Sequence, residues 1–190
     1  MGKNTSRATT LVILLASHLA ASTVTPLSLR EVSTRASRVT AGRVERVTAR
    51  RDSQSGRIVS RIEIAEARAL AGQTPGRFSF EMVGGTAEGI RQWIAGFPAF
   101  EAGDQVVLFL AQDTTTPLGP TVGLWQGVFF VQKDAGGQEI ITDHARRPLV
   151  EIRGEELVRG PAGRGLAAAS SGGLTLEAFL SQVRAWREAR

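Results

Sequence analysis

Few residues on this chain could carry chemistry. It has two histidines, His18 and His144, and no cysteine. His18 falls in a leader-like start, so His144, in Thr142-Asp143-His144-Ala145-Arg146-Arg147-Pro148, is the one imidazole left for the body of the protein. A Ser-His-Asp triad would have to use it. No G-x-S-x-G elbow is present, and Asp143 does not face His144 merely by adjacency. Zinc sites need several His, Cys or carboxylate ligands, and calcium loops need alternating acidic ones. Neither pattern occurs, so no metal and no cofactor is expected. Paired carboxylates suit general acid–base work, but Glu101 with Asp104, and Glu155 with Glu156, both read as solvated. Gly84-Gly85-Thr86-Ala87-Glu88-Gly89 follows a strand-like run without the GK[ST] ending or the G-x-G-x-x-G spacing of a phosphate loop. It reads as a turn that needs positive φ. What remains is aromatic: Trp93, Phe97, Phe100 and Trp125. Core packing is their expected role, with a sugar- or peptide-binding face as the functional alternative.

The elements that hold these aromatics are strand-like. Phe78, Phe80 and Met82 alternate within Arg77–Val83, and Gln105–Ala111 (QVVLFLA) is almost continuously apolar, as in a central strand covered on both faces. Val122–Gln132 (VGLWQGVFFVQ) is a third run, and Gly127 inside it marks a bulge or sharp bend. Between the first two lie Ile90–Ala95, a short strand carrying Trp93, and Gly96–Asp104, an ordered loop whose Phe97 and Phe100 plug one end of the core. Upstream, Val39–Arg50 and Arg57–Arg68 read as one long hairpin with one face buried. In it Val44, Arg46 and Thr48 alternate against Arg43, Glu45 and Val47. Glu139–Thr142 is a last edge strand.

Short helices flank this core. Ser28 and Glu31 have capping-box spacing ahead of Leu27–Ala36, with Leu27 and Val32 placed as a hydrophobic staple. Thr175 caps a C-terminal helix whose apolar face is Leu176, Phe179, Leu180 and Val183. The Gly/Ala/Ser-rich run before it reads as a flexible tether. The expected organisation is a signal peptide at 1–22, a β-barrel domain at 27–143, a flexible connector at 144–173 and the C-terminal helix at 174–190.

Charge and leader set the compartment. Lys3 and Arg7, an apolar run Ala8–Ala21 and small residues at Ala20-Ala21-Ser22 have the three parts of a secretory signal, cleaved near Ala21 or Ser22. The apolar run is too short to span a bilayer. The expectation is a secreted or periplasmic protein with no membrane segment in its mature form. Removing Lys3 and Arg7 lowers the net charge from +5 to +3, and the arginines are spread along the chain. Nucleic-acid binding calls for a clustered basic footprint, so it is not expected. Without cysteine there are no disulfides, and the core alone must hold the fold.

The landmarks Ala41-Gly42-Arg43-Val44, Gly84-Gly85, Gly96-Phe97-Pro98-Ala99-Phe100-Glu101-Ala102-Gly103-Asp104, Val106–Leu110 and Gly123–Val131 stand in an order that resembles a group of uncharacterised bacterial exported proteins, over about residues 27–132. More remotely, the order of hairpin, third strand, loop, F-x-x-G-D and apolar strand is similar to the netrin-like OB barrel of tissue inhibitors of metalloproteinases. That resemblance implies a mainly β fold, an OB-like barrel of five to six strands. The inhibitors chelate the protease zinc through an N-terminal cysteine. This chain has none, so that mechanism does not carry over.

The expected function is a non-enzymatic interaction module for an unknown exported protein, accessory to or inhibitory of an exported protease. The alternative is a carbohydrate-binding module or a hydrolase built on Trp93, Phe97 and Phe100.

Overall fold

A computed structural model describes residues 24–112, 118–160 and 173–189. The expected leader, residues 1–22, and most of the Gly/Ala/Ser-rich run lie outside the described residues.

The first element among the described residues is helix α1 (Leu29–Arg35), and its start is the expected capping box. Ser28 Oγ accepts from the Glu31 N–H at 3.1 Å, and Glu31 Oε2 accepts from the Ser28 N–H at 2.9 Å. Strands β1 (Arg38–Arg51) and β2 (Ile58–Ala71) form the long antiparallel hairpin, paired from Val39↔Ala71 to Arg51↔Ile58. Three register shifts bend it. At one of them stands Gly42, where an added Cβ would come within 2.6 Å of Ile64 Cγ2. Another lies between Val44 and Arg46 and breaks the strict alternation expected of this strand. The extra residue brings Val44 and Val47 onto the same apolar cluster, as a bulge does.

Strand β3 (Phe78–Val83) pairs with β2. A small hairpin follows, β4 (Gly85–Ala87) with β5 (Ile90–Gln92), turning through Glu88 and Gly89 at φ 52° and 72°. Positive φ at Gly84 and Gly85 agrees with the turn reading of that Gly pair. Strands β6 (Gln105–Leu110), β7 (Val128–Lys133) and β8 (Glu139–Thr142) complete one six-stranded antiparallel sheet in the order β3-β2-β1-β6-β7-β8.

Both faces of β6 are covered, which explains its unbroken apolarity. Val106, Leu108 and Leu110 join Val44, Ile62, Ile64, Phe80, Met82 and Phe130 on the inner face. Val107 and Phe109 join α1, the end of the chain and Phe129 on the outer face. The sheet is strongly curled around the inner cluster. The Phe100 ring lies 5.8 Å from Phe80 of β3 and 5.6 Å from Phe130 of β7, so those two rings are at most about 11 Å apart. Four strand spacings across a flat sheet would separate them by about 19 Å. The curl does not become a hydrogen-bonded barrel. Edge strands β3 and β8 are not paired with each other among the described residues, and Phe97 and Phe100 pack into the inner cluster from the loop.

Two expectations need correction. Val122–Gln132 is not one strand: Leu124–Gly127 is a 3-10 turn and β7 starts at Val128. Gly127 has no positive φ. It is required because a Cβ there would meet the carbonyl oxygens of Val122 and Phe109 at 2.8 and 2.9 Å. The expected connector 144–173 holds a second hairpin, β9 (Leu149–Arg153) with β10 (Glu156–Arg159). Short strands with charged outward residues gave it little apolar signal, yet Leu149 is fully buried.

The C-terminal helix α2 (Leu176–Glu188) docks on the domain through its apolar face. Leu174 donates its N–H to Leu149 O at 2.7 Å and accepts from Ile141 N–H at 2.9 Å, so the approach to the helix is stitched between β8 and β9. Phe179 and Val183 are fully buried against Phe109 and Phe129. Arg187 donates to Ala36 O at 2.9 Å at the end of α1.

Candidate binding site

The mouth of the curled sheet holds a cleft of about 400 Å³. Its floor comes from the inner face of the hairpin and β3: Val47, Ala49, Ile62 and Met82, with Ser60 between them. Strand alternation puts these residues on one side. The β4–β5 hairpin forms one wall. Gly84 and Gly85 let it turn back over the sheet, where a Cβ at Gly85 would approach Ala49 Cβ to 3.1 Å. The loop Trp93–Phe100 forms the other wall.

Three of the four expected aromatics meet here. Trp93, Phe97 and Phe100 all line the cleft, but in different states. Phe97 and Phe100 are half-buried core contacts, as expected for a plug. Trp93 is 70% exposed at the rim, against the expectation that it would pack inside. Trp125 does not line the cleft. It stands behind the wall, its ring 5.5 Å from Phe97 and 6.1 Å from His144, and it supports the loop from below Gly96, where a Cβ would fall 3.0 Å from the indole.

An ion pair that the sequence did not reveal pins this loop. Arg146 donates to both Asp104 oxygens at 3.0 and 2.8 Å and to Ala99 O at 3.0 Å, and its guanidinium lies 4.0 Å over the Phe130 ring. Asp104 Oδ2 also accepts from the Glu101 N–H at 2.7 Å. Asp104 is therefore a largely buried loop clamp, not the solvated carboxylate expected. No motif flags Arg146; it is one of two adjacent arginines in a turn. Arg91 and Met82, also on the cleft wall, carried no signal beyond strand alternation.

His144 stands apart from the cleft. Burial is the main influence holding its pKa below the usual 6.5; the Asp143 charge opposes this, and Arg159 and Arg147 reinforce it. Asp143 is not free to orient the imidazole. Oδ1 accepts from the Ala145 and Arg147 N–H groups, and Oδ2 from Arg147 Nε at 3.2 Å and Arg159 Nε at 3.0 Å. This buried carboxylate ties β8 to β10. No three of His, Asp and Glu come together to hold a metal among the described residues.

A second hollow of about 450 Å³ lies beside α2, lined by Gln138, Glu139, Thr175, Leu176, Glu177, Leu180 and Arg184. Its walls are mostly polar or charged, so it offers little apolar surface to desolvate. No helix among the described residues is long and apolar enough to cross a membrane.

The chain matches no protein-family model, no curated protein and no solved structure.

Proposed function

We propose that this chain is a non-enzymatic interaction module working outside the cytoplasm, built on an OB-like half barrel, and that it engages a partner protein at the cleft under Trp93. The observation that carries the reading is a large indole 70% exposed at the lip of an apolar hollow. Folding stability is not served by leaving such a ring in water, whereas tryptophans at the centre of protein interfaces are typical energetic anchors. The export half of the proposal rests on the leader-like residues 1–22. The OB-like reading rests on the bulged long hairpin and on the curl of β3 towards β7.

Carbohydrate stacking on Trp93 is the competing reading. A sugar needs several free hydrogen-bonding side chains around the stacked ring. Here Ser60 Oγ already donates to Gly84 O at 2.7 Å, and Gln92 Oε1 already accepts from the Ile58 N–H at 2.7 Å. Two of the polar groups lining the cleft are thereby occupied, which counts against a glycan.

The test is a paired capture. The chain without residues 1–22, and its Trp93→Ala variant, are immobilised and exposed to exported proteins of the source organism. A protein retained by the first in high salt and lost from the second supports the proposal. Equal retention by both, or a Trp93 emission shift with oligosaccharides and no retained protein, contradicts it.

A further inference from the structure

We propose that the occupant of the cleft is an apolar segment of a partner protein carrying a carboxylate, its side chain on the Met82 and Phe97 walls and its carboxylate on Arg91. This deepens the interaction reading above and rests on it.

The charge of the cleft is the first argument. Its walls are apolar or neutral except for Arg91, the only ionisable side chain among the described residues that line it. Arg91 is exposed, and no carboxylate among the described residues lies within ion-pair distance of it. Glu88, at the turn of the same hairpin, is exposed and lies beyond ion-pair distance of Arg91, while Glu81 faces Arg50 at 3.1 Å and Asp52 accepts from Ser55 and Arg50. A lone cation beside an apolar hollow favours an anionic occupant, whose charge complements it and steers it in. A guanidinium also presents a planar fork that matches a carboxylate at two points.

Size is the second argument. A hollow of about 400 Å³ has room for one or two large apolar side chains of a segment lying across its mouth. The exposed indole at the rim is placed to touch what enters. The fit is to a short segment with an apolar residue next to Asp, Glu or a chain-terminal carboxylate.

The experiment selects peptides of about 12 residues from a random displayed library on the immobilised chain. Affinities of the enriched peptides are then measured for the parent chain, Arg91→Glu and Trp93→Ala, with dodecanoate as a non-peptide anionic probe. Arg91 and Trp93 are both exposed, so melting temperatures should stay close to the parent and report folding independently. The expected result is enrichment of peptides pairing an apolar with an acidic residue, weakened at least about tenfold by Arg91→Glu. Replacing the peptide's acid by Lys should restore binding to Arg91→Glu. Peptides that bind the parent and Arg91→Glu equally would overturn this inference and leave the interaction reading standing. Binding of dodecanoate with no enriched peptide, or no binding at all, would overturn both.

Discussion

Replacing Phe179 by Ala tests whether the last helix belongs to the core. The ring is fully buried, 5.0 Å from Phe129 and 6.2 Å from Phe109, with Phe109 itself edge-on to Phe129 at 5.6 Å. Truncation removes the transfer free energy of the ring and leaves a cavity between two aromatics that cannot close it, which together cost about 3–5 kcal/mol. For a domain of this size each kcal/mol lowers the melting temperature by roughly 2–4 °C, so a fall of about 6–20 °C is expected. Urea titration followed by far-ultraviolet circular dichroism and by tryptophan fluorescence gives the free energy and tests whether the two probes move together. A loss below about 1 kcal/mol would refute the reasoning, since a detachable helix would simply lift away. The same logic applies to a chain cut after residue 160. Losing Leu174 strips backbone partners from both β8 and β9, so the truncated chain should melt without a cooperative transition.

Three other outcomes follow from local geometry. Gly127→Ala should cost about 1–3 kcal/mol by overpacking, since even a methyl group meets two carbonyl oxygens at under 3 Å; a neutral thermal melt would remove that close approach. Arg146→Lys keeps the charge but not the fork that holds both Asp104 oxygens, so it should destabilise by about 1–2 kcal/mol. It should also speed amide exchange across residues 99–104, and unchanged exchange there would show that the loop is held by Phe97 and Phe100 alone. His144 has a pKa held down in the folded state, so the unfolded chain takes up the proton first as pH falls. Its contribution is fully present above the unfolded value of about 6.5 and is lost as pH falls through the lower folded value. His144→Gln should therefore flatten the stability profile as pH falls below about 6.5, and an unaltered slope in denaturant titrations would contradict the burial of that imidazole.

Local signals were legible where one element settled its own form. The Ser28/Glu31 capping box, the Val39–Arg68 alternation and the apolar run Val106–Leu110 each correspond to an element of the fold. Periodicity failed where long-range contact overrode it. The bulge between Val44 and Arg46 shifts alternation by one residue, and only the three-dimensional pairing of β1 with both β2 and β6 explains why the strand must bend there. Charged residues hid the β9–β10 hairpin, whose burial depends mainly on Leu149, Ile152 and Leu157 meeting α1 and α2. At the site, aromatic type was enough to single out Trp93, Phe97 and Phe100, but it could not separate plug from rim. Phe97 and Phe100 face the core because Arg146 clamps the loop behind them. Trp93 lies just past β5, outside the clamped stretch, and so faces water. Arg91 and Arg146 were unreadable as site residues, since arginine recurs throughout this chain and only proximity distinguishes these two.

The most direct test of the central claim is where a bound partner sits. Amide hydrogen exchange on the chain, alone and saturated with the protein it captures, would map the contact. New protection is expected across residues 82–100, strongest at the β4–β5 hairpin and at Trp93, with the α1/α2 face unchanged. Protection confined to α1, α2 and the β9–β10 hairpin would contradict it and move the interface to the opposite side of the sheet.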